Sequence, residues 1–378
     1  MRSATDDLEQ FLEGLARDAR PGDRLPTIRE LMRRFGASQM LVQRAFSALK
    51  ARGLIDSQVG RGTYFRGAAA GPAAAPAAAA ERGARERHSR VKSVLLLRRS
   101  ISIARGRVLV EGLQRRFAAE GHRVLELSYT DPDHALAVLK SLPRFDACMV
   151  QSTYRTIPTA LLAALKEKSD VLAVDGAALV GADVEAVGTE WGEPLALAVG
   201  WLQQLGHRRI ACATTSQPLL ATQLGRRRFE ALAKAAGGAE LTEIALPLLP
   251  DQDYAATLVR CIQERLDAAG PAACTALVAW GIEDGARLRE LLAGIGVDVP
   301  GRLSVVLLGR TDLANEHAGF FHTIGCSVAD QVEALYQAIC ARWAEPGLPH
   351  GVHFTPITVR AGASAAAPAA AAARRPQR

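Results

Sequence analysis

The chain has 378 residues, 46 of them Lys or Arg and 39 Asp or Glu, for a net charge of +7, and 49% of it is hydrophobic. That length predicts two domains, and the apolar content excludes a disordered or fibrous chain. There is no run of ~18 apolar residues for a membrane span, no signal-peptide core in the opening stretch "MRSATDDLEQFLEGLARDAR", and no Cys-x-x-Cys among Cys148, Cys212, Cys261, Cys274, Cys326 and Cys340. The expectation is a reduced, cytoplasmic protein with no disulfide frame, metal, cofactor or membrane contact.

Positive charge is concentrated near the front. Residues 24–66 hold nine basic and two acidic side chains, a local excess equal to that of the whole chain, and a polyanionic partner is the natural match. "TIRELMRRFG" predicts a helix with Thr27 as N-cap, Glu30 completing a capping box and Gly36 ending it. "ASQMLVQRAFSALKARG" predicts a second helix capped by Ser38, with Val42, Ala45, Phe46 and Leu49 on its core face. Gln39, Met40, Gln43 and Arg44 are left on the opposite side. Two helices joined by a tight glycine-containing turn predict a helix-turn-helix. "LIDSQVGRGTYF" predicts two short strands around a glycine turn, with Arg61 at the tip as a candidate wing.

Together "PGDRLPTIRELMRRFGAS", "VQRAF" and "GRGTYF" resemble the winged helix-turn-helix of the GntR family of bacterial transcription regulators, over about residues 8–66. The resemblance implies that Arg29 contacts the operator, that Gly62 and Thr63 belong to the wing, and that Ser38, Gln39, Met40 and Gln43 begin the recognition helix. The common pattern has arginine where this chain has Gln39 and Gln43. Glutamine suits adenine and arginine suits guanine, so A·T pairs are expected at those operator positions unless both glutamines contact phosphate.

Residues 67–90, rich in Ala, Pro and Gly, predict a flexible linker. From 91 to 361 short β-like runs alternate with amphipathic helical patterns, predicting an α/β domain of two lobes built on parallel sheets. Residues 362–378 repeat the linker's composition and predict a disordered tail. "LGHRRIA" and "VDVPGRLSVV" carry a resemblance, running from about Val91 to Gly362, to the effector domain of the LacI family, which shares the fold of periplasmic sugar-binding proteins. A GntR-type reader joined to such a sensor is the layout of arabinose-repressor-like regulators. The layout implies a homodimer on double-stranded DNA, gated by a small-molecule effector in the interlobe cleft.

The usual sugar-gripping positions of that family are altered here. An Asn-Asp pair becomes Gly281-Ile282, paired acids become Gly309-Arg310, and an Asp-Asn pair becomes Glu190-Trp191. The candidate effector residues are Ser100, Ser102, Arg105, Asp175, Glu190, Trp191, Arg226, Trp280 and Arg310. The tryptophans suit a ring and the arginines a carboxylate or phosphate, so a sugar-like or anionic metabolite is expected. Three alternatives stand beside a ligand-gated repressor: a large domain that only dimerises, a plain solute-binding protein, and an enzyme. Against the last, the chain has no Walker loop, no HExxH, no GxSxG and no strand-linked GxGxxG.

Overall fold

The computed structural model describes residues 8, 11–12, 14–16, 19–20, 22–35, 42, 45–46, 49, 54–58, 62–65, 91–100, 103–152, 154–176, 182–235, 238–269 and 274–368. The chain divides into two compact units, residues 1–86 and 87–378.

In the first unit, α1 (Ile28–Phe35) begins with the expected capping box. Thr27 N–H donates to Glu30 Oε2 at 2.7 Å, and Glu30 N–H returns a bond to Thr27 Oγ1 at 3.3 Å. These bonds satisfy amide groups that the first turn leaves unpaired. Strands β1 (Ile55–Gln58) and β2 (Gly62–Phe65) pair antiparallel, Ile55 opposite Phe65, as the glycine-rich stretch predicted. The core gathers Leu8, Leu12, Ala16, Leu25, Leu31, Val42, Ala45, Leu49, Ile55 and Phe65, with Phe46 packed against it. Val42, Ala45, Phe46 and Leu49 are the i, i+3, i+4, i+7 set read from the sequence.

The second unit holds two six-stranded sheets. The first contains β3 (Ser93–Arg99), β4 (Arg123–Tyr129), β5 (Ala147–Gln151), β6 (Leu172–Asp175), β7 (Glu185–Gly188) and β13 (Val352–Phe354), in the order β13-β7-β6-β5-β3-β4. All its pairings are parallel. The second contains β8 (Arg209–Thr215), β9 (Glu240–Leu246), β10 (Ala276–Trp280), β11 (Ser304–Arg310), β12 (His322–Cys326) and β14 (Thr358–Arg360), ordered β14-β12-β11-β10-β8-β9. Only β14 there is antiparallel. Central strands such as β5, β10 and β12 are buried at every residue; β10 and most of β5 read as apolar runs for that reason, whereas β12 buries His322 and Thr323 as well.

Helices α2 (Ala104–Ala119), α3 (Pro132–Ser141) and α4 (Thr159–Lys168) cover the first sheet. Helices α5 (Gly192–Gln204), α6 (Leu220–Ala235), α7 (Tyr254–Ala269), α8 (Gly285–Gly294) and the short α9 (Ala314–His317) belong to the second lobe. The chain crosses between lobes three times: after β7, after β12, and between β13 and β14. After the second crossing α10 (Val328–Ala344) returns to pack on the first lobe, where Val328, Leu335, Tyr336 and Ile339 join its core.

The linker expected over 67–90 lies outside the described residues. The tail expectation needs correction for its first part. Val305 N–H donates to Ser364 O at 2.7 Å, His322 N–H donates to Ser364 Oγ at 2.9 Å, and Ser304 Oγ–H donates to Ala366 O at 3.0 Å. Residues 363–366 thus lie along the second sheet, held by backbone groups and by the Ser364 hydroxyl. No described helix is long and apolar enough to cross a membrane, and no group of metal-ligating side chains occurs among the described residues.

Candidate ligand cleft and nucleic-acid interface

The carboxyl ends of the parallel strands converge between the lobes, where ligands of such sheets sit. The strand ends and the loops after them enclose a cavity of about 260 Å3. The first lobe contributes Arg105, Ser152, Tyr154, Arg155 and Asp175 to its wall; the second contributes Trp191, Trp280, Ile282, Glu283, Arg310 and Glu316. Gln331, from the returning α10, completes one side.

Of the residues singled out in the sequence, Arg105, Asp175, Trp191, Trp280 and Arg310 line this cavity. Ser100 is exposed beyond β3, its N–H donating to Tyr129 O, and is not part of the lining. Ser102 lies outside the described residues. Glu190 is a helix cap instead: its carboxylate accepts from Gly192 N–H and Glu193 N–H, both at 2.9 Å, where the positive end of α5 favours an anion. Arg226 points its guanidinium to Glu243, with Nη2 2.7 Å from Oε1, and borders a smaller pocket within the second lobe. Neither side chain is among those lining the large cavity.

The sequence reading missed Tyr154, Glu283, Glu316 and Gln331. Tyr154 O–H donates to Glu283 Oε1 at 2.5 Å, and Arg155 Nη2 lies 2.8 Å from Asp251 Oδ2, so two clasps join the lobes across the cleft. Tyr154 holds a left-handed φ of 57°, a conformation that costs a non-glycine residue ~1 kcal/mol. That turn brings its ring edge-on to Trp280 at 5.4 Å, with the Arg105 guanidinium 5.0 Å from the ring centre. Trp191 stands edge-on to the other side of this aromatic group, 6.4 Å from Trp280. At Gly281, φ is +84° and an added Cβ would lie 2.9 Å from Pro250 Cγ. Only glycine fits that turn, and it sets Ile282 and Glu283 into the wall. The acid sought at Ile282 is therefore supplied one residue later.

Glu316 is 4% exposed, and its Oε2 accepts from Arg310 N–H at 2.6 Å. Gly309 makes room for it, since a Cβ there would come within 2.6 Å of the same oxygen. Burial raises the Glu316 pKa to about 8, with Glu283 adding to the rise and Arg310 and Arg105 opposing it. Burial alone would lower the pKa of Arg105, but the surrounding Tyr154, Asp175, Glu283 and Glu316 raise it, so it stays charged. Asp175 accepts from Gln331 Nε2. Arg105 Nε, Arg155 Nη1, Arg310 Nε, Glu283 Oε2 and Gln331 Oε1 are buried without hydrogen-bond partners. So many unsatisfied polar atoms around one cavity are what a ligand or trapped water would pair.

Behind the cavity the three crossings meet. Thr189, Cys326 and Thr355 come one from each; Thr189 Oγ1 is 2.9 Å from Cys326 Sγ and 3.0 Å from Thr355 Oγ1. Arg310 reaches this cluster, its Nη1 donating to Thr189 Oγ1 and Cys326 Sγ. One side chain thus touches both the cavity and the cluster at the crossings.

In the N-terminal unit the backbone of Arg29 lies in the first turn of α1, and Gly62 and Thr63 open β2. Ser38, Gln39, Met40, Gln43, Arg44 and Arg61 lie outside the described residues. Arg24, Arg33 and Arg34 are exposed, with the Arg34 guanidinium 4.3 Å from the centre of the Phe11 ring.

Residues 9–65 match the family of bacterial regulatory proteins called gntR, and residues 199–364 match the periplasmic binding protein-like domain. A search of curated proteins gives no match. Among solved structures, a LacI transcriptional regulator from a Rhodococcus species aligns with TM-score 0.61 and 22% identity, over 73% of this chain and 99% of its own. A LacI family regulator from Enterococcus faecium with bound ribose aligns with TM-score 0.61 and 16% identity, again over 73% and 99%. A sugar-binding LacI-family regulator from Escherichia coli complexed with phosphate gives TM-score 0.56 and 17% identity over the same shares. The chain therefore joins a GntR-type helix-turn-helix domain at its N terminus to a periplasmic-binding-protein-like domain of the kind found in LacI-family transcriptional regulators.

Proposed function

We propose that this protein is a sequence-specific DNA-binding transcription regulator, acting in the cytoplasm as a homodimeric repressor gated by a small polar molecule in the interlobe cleft. The observation that carries the reading is the combination, in one chain, of a GntR-type domain with a two-lobed domain whose cavity is walled by aromatic and charged side chains. That relatives of this fold hold ribose and phosphate supports a small-molecule ligand. Arg29 and the start of the second helix would meet base edges, and Gly62 and Thr63 would lie at the wing. In the cleft, Arg105, Asp175, Trp191, Trp280 and Arg310 are assigned to the effector. Nothing in the cavity is assigned a catalytic role.

The test is selection of bound sequences from a random duplex pool by the purified full chain, repeated with cell metabolite extract. A palindromic motif that weakens with extract is expected. A pool without any enriched motif would remove the DNA-reading assignment.

The two clasps across the cleft, Tyr154 to Glu283 and Arg155 to Asp251, favour a second reading in which the lobes stay closed unaided and the large domain only dimerises. An enriched motif indifferent to every extract fraction is the result that reading expects.

A further inference from the structure

The charges in the cavity wall nearly balance, and the remainder has a sign. Arg155 is matched by Asp251, which leaves Arg105 and Arg310 facing Asp175, Glu283 and Glu316. The arginines that suggested an anionic ligand thus have no charge to spare, and one carboxyl group is in surplus. That group is Glu316, whose burial and acidic neighbour Glu283 favour the protonated form. Glu283 Oε2, close enough to affect Glu316, has no partner. Beside these acids stands the Trp280 ring, an aromatic system that attracts cations, while the Tyr154 and Trp191 rings already carry the Arg105 and Arg310 guanidinium groups at 5.0 Å and 5.5 Å.

We propose that the effector carries a cationic nitrogen, held beside Glu283 and Glu316 against the Trp280 ring, and that it enters in exchange for the proton on Glu316. The inference rests on the regulator reading and names its ligand class. The exchange balances: one positive charge enters the cleft and one proton leaves to solvent. Tyr154, which donates to Glu283, gives up or shares that acceptor when the cation binds. The groups that face Glu316 and set its proton affinity are Glu283 after β10, Arg310 at the end of β11 and Arg105 on α2, with Tyr154 and Asp175 around Arg105.

Three ring-bearing probes of matched shape test this by calorimetry on the full chain: 1-methylnicotinamide, a permanent cation, neutral nicotinamide, and anionic nicotinate. The cation should bind at least ~10-fold tighter than the other two at pH 8.5. Because its own charge does not change with pH, its affinity should climb up to ~10-fold per unit below pH 8 and then level off, the sign expected when the ligand displaces a bound proton. Glu316→Gln, which mimics the protonated acid, should weaken the cation at least ~10-fold and flatten the pH profile. A melt of that variant at pH 7 shows whether it is folded; Glu283→Gln serves the same purpose if it is not. A cation probe that fails to bind, binds no better than its neutral or anionic partner, or shows no pH dependence overturns the proposal. The regulator reading fails separately: DNA release by an extract fraction that passes through a cation-exchange resin would keep it while removing the cationic ligand.

Discussion

Glu185 shows how much the fold depends on single buried charges. Its carboxylate, 4% exposed in β7, pairs with Arg342 of α10, with His350 Nδ1 at 3.0 Å and with His353 Nε2 at 2.8 Å. Burial pushes its pKa up, but the hydrogen bonds from His353 and Arg342 outweigh that and hold it below the ordinary value. A depressed carboxylate pKa contributes stability above the unfolded value and loses it as pH falls through the folded one. Glu185→Gln leaves Arg342 buried without its counter-charge, so it should cost about 3 kcal/mol in urea unfolding at pH 7. The same variant should lose less stability than the parent between pH 5 and pH 3.5. The sequence shows Glu185 only as an acid in a short apolar strand; its partner Arg342 is 157 positions away. Glu283 was passed over because the acid was sought at Ile282, and Glu316 because the polar run Asn315-Glu316-His317 gives no hint of burial.

Elements were more legible than sites. The alternation of apolar runs and amphipathic stretches showed β3 to β6 and β8 to β11, because strands covered on both faces are largely apolar; β7, only four residues long, and β12, which carries His322, Thr323 and Gly325, gave no such run. The capping box at Thr27 and Glu30 was legible because it is local. The segment 363–366 was not, because what holds it is backbone pairing and one serine hydroxyl, which composition does not encode. Ser364 there is fully buried, accepting from His322 N–H and donating from Oγ to Val305 O. Ser364→Ala leaves both backbone groups unpaired and should destabilise the large unit by about 1–3 kcal/mol. Thermal melting that leaves the large unit unchanged in this variant would show the segment to be dispensable.

Across the whole large unit, burial also sets the response to acid. His207, His317 and His322 all have lowered pKa values, burial being the first cause in each. His207 Nε2 is 2.8 Å from Ala366 O, and His322 stacks on Trp201 at 3.9 Å. A histidine whose folded pKa lies below its unfolded value near 6.5 contributes stability above that value and loses it as pH falls. Over pH 7.5 to 5.5 these histidines therefore lower the melting temperature of the large unit, while Glu316, whose raised pKa makes it bind its proton in the folded state, works the other way. His207→Asn, which keeps a polar side chain without a titrating ring, should move the change in melting temperature between pH 7.5 and pH 5.5, followed by circular dichroism, toward stabilisation at the lower pH relative to the parent. The same unit carries the functional claim, since Arg310 joins the cavity to the Thr189, Cys326 and Thr355 cluster where all three crossings meet. The central claim is that a molecule in this cleft changes DNA binding by the same chain. The most direct measurement is fluorescence anisotropy of a selected duplex with the full-length protein, with and without metabolite extract, for the parent and for Trp191→Leu. The account predicts at least ~10-fold weaker DNA binding with extract for the parent, a coupling of ~1.4 kcal/mol, and almost none for Trp191→Leu at equal affinity without extract. Equal weakening of both proteins, or of neither, would contradict it.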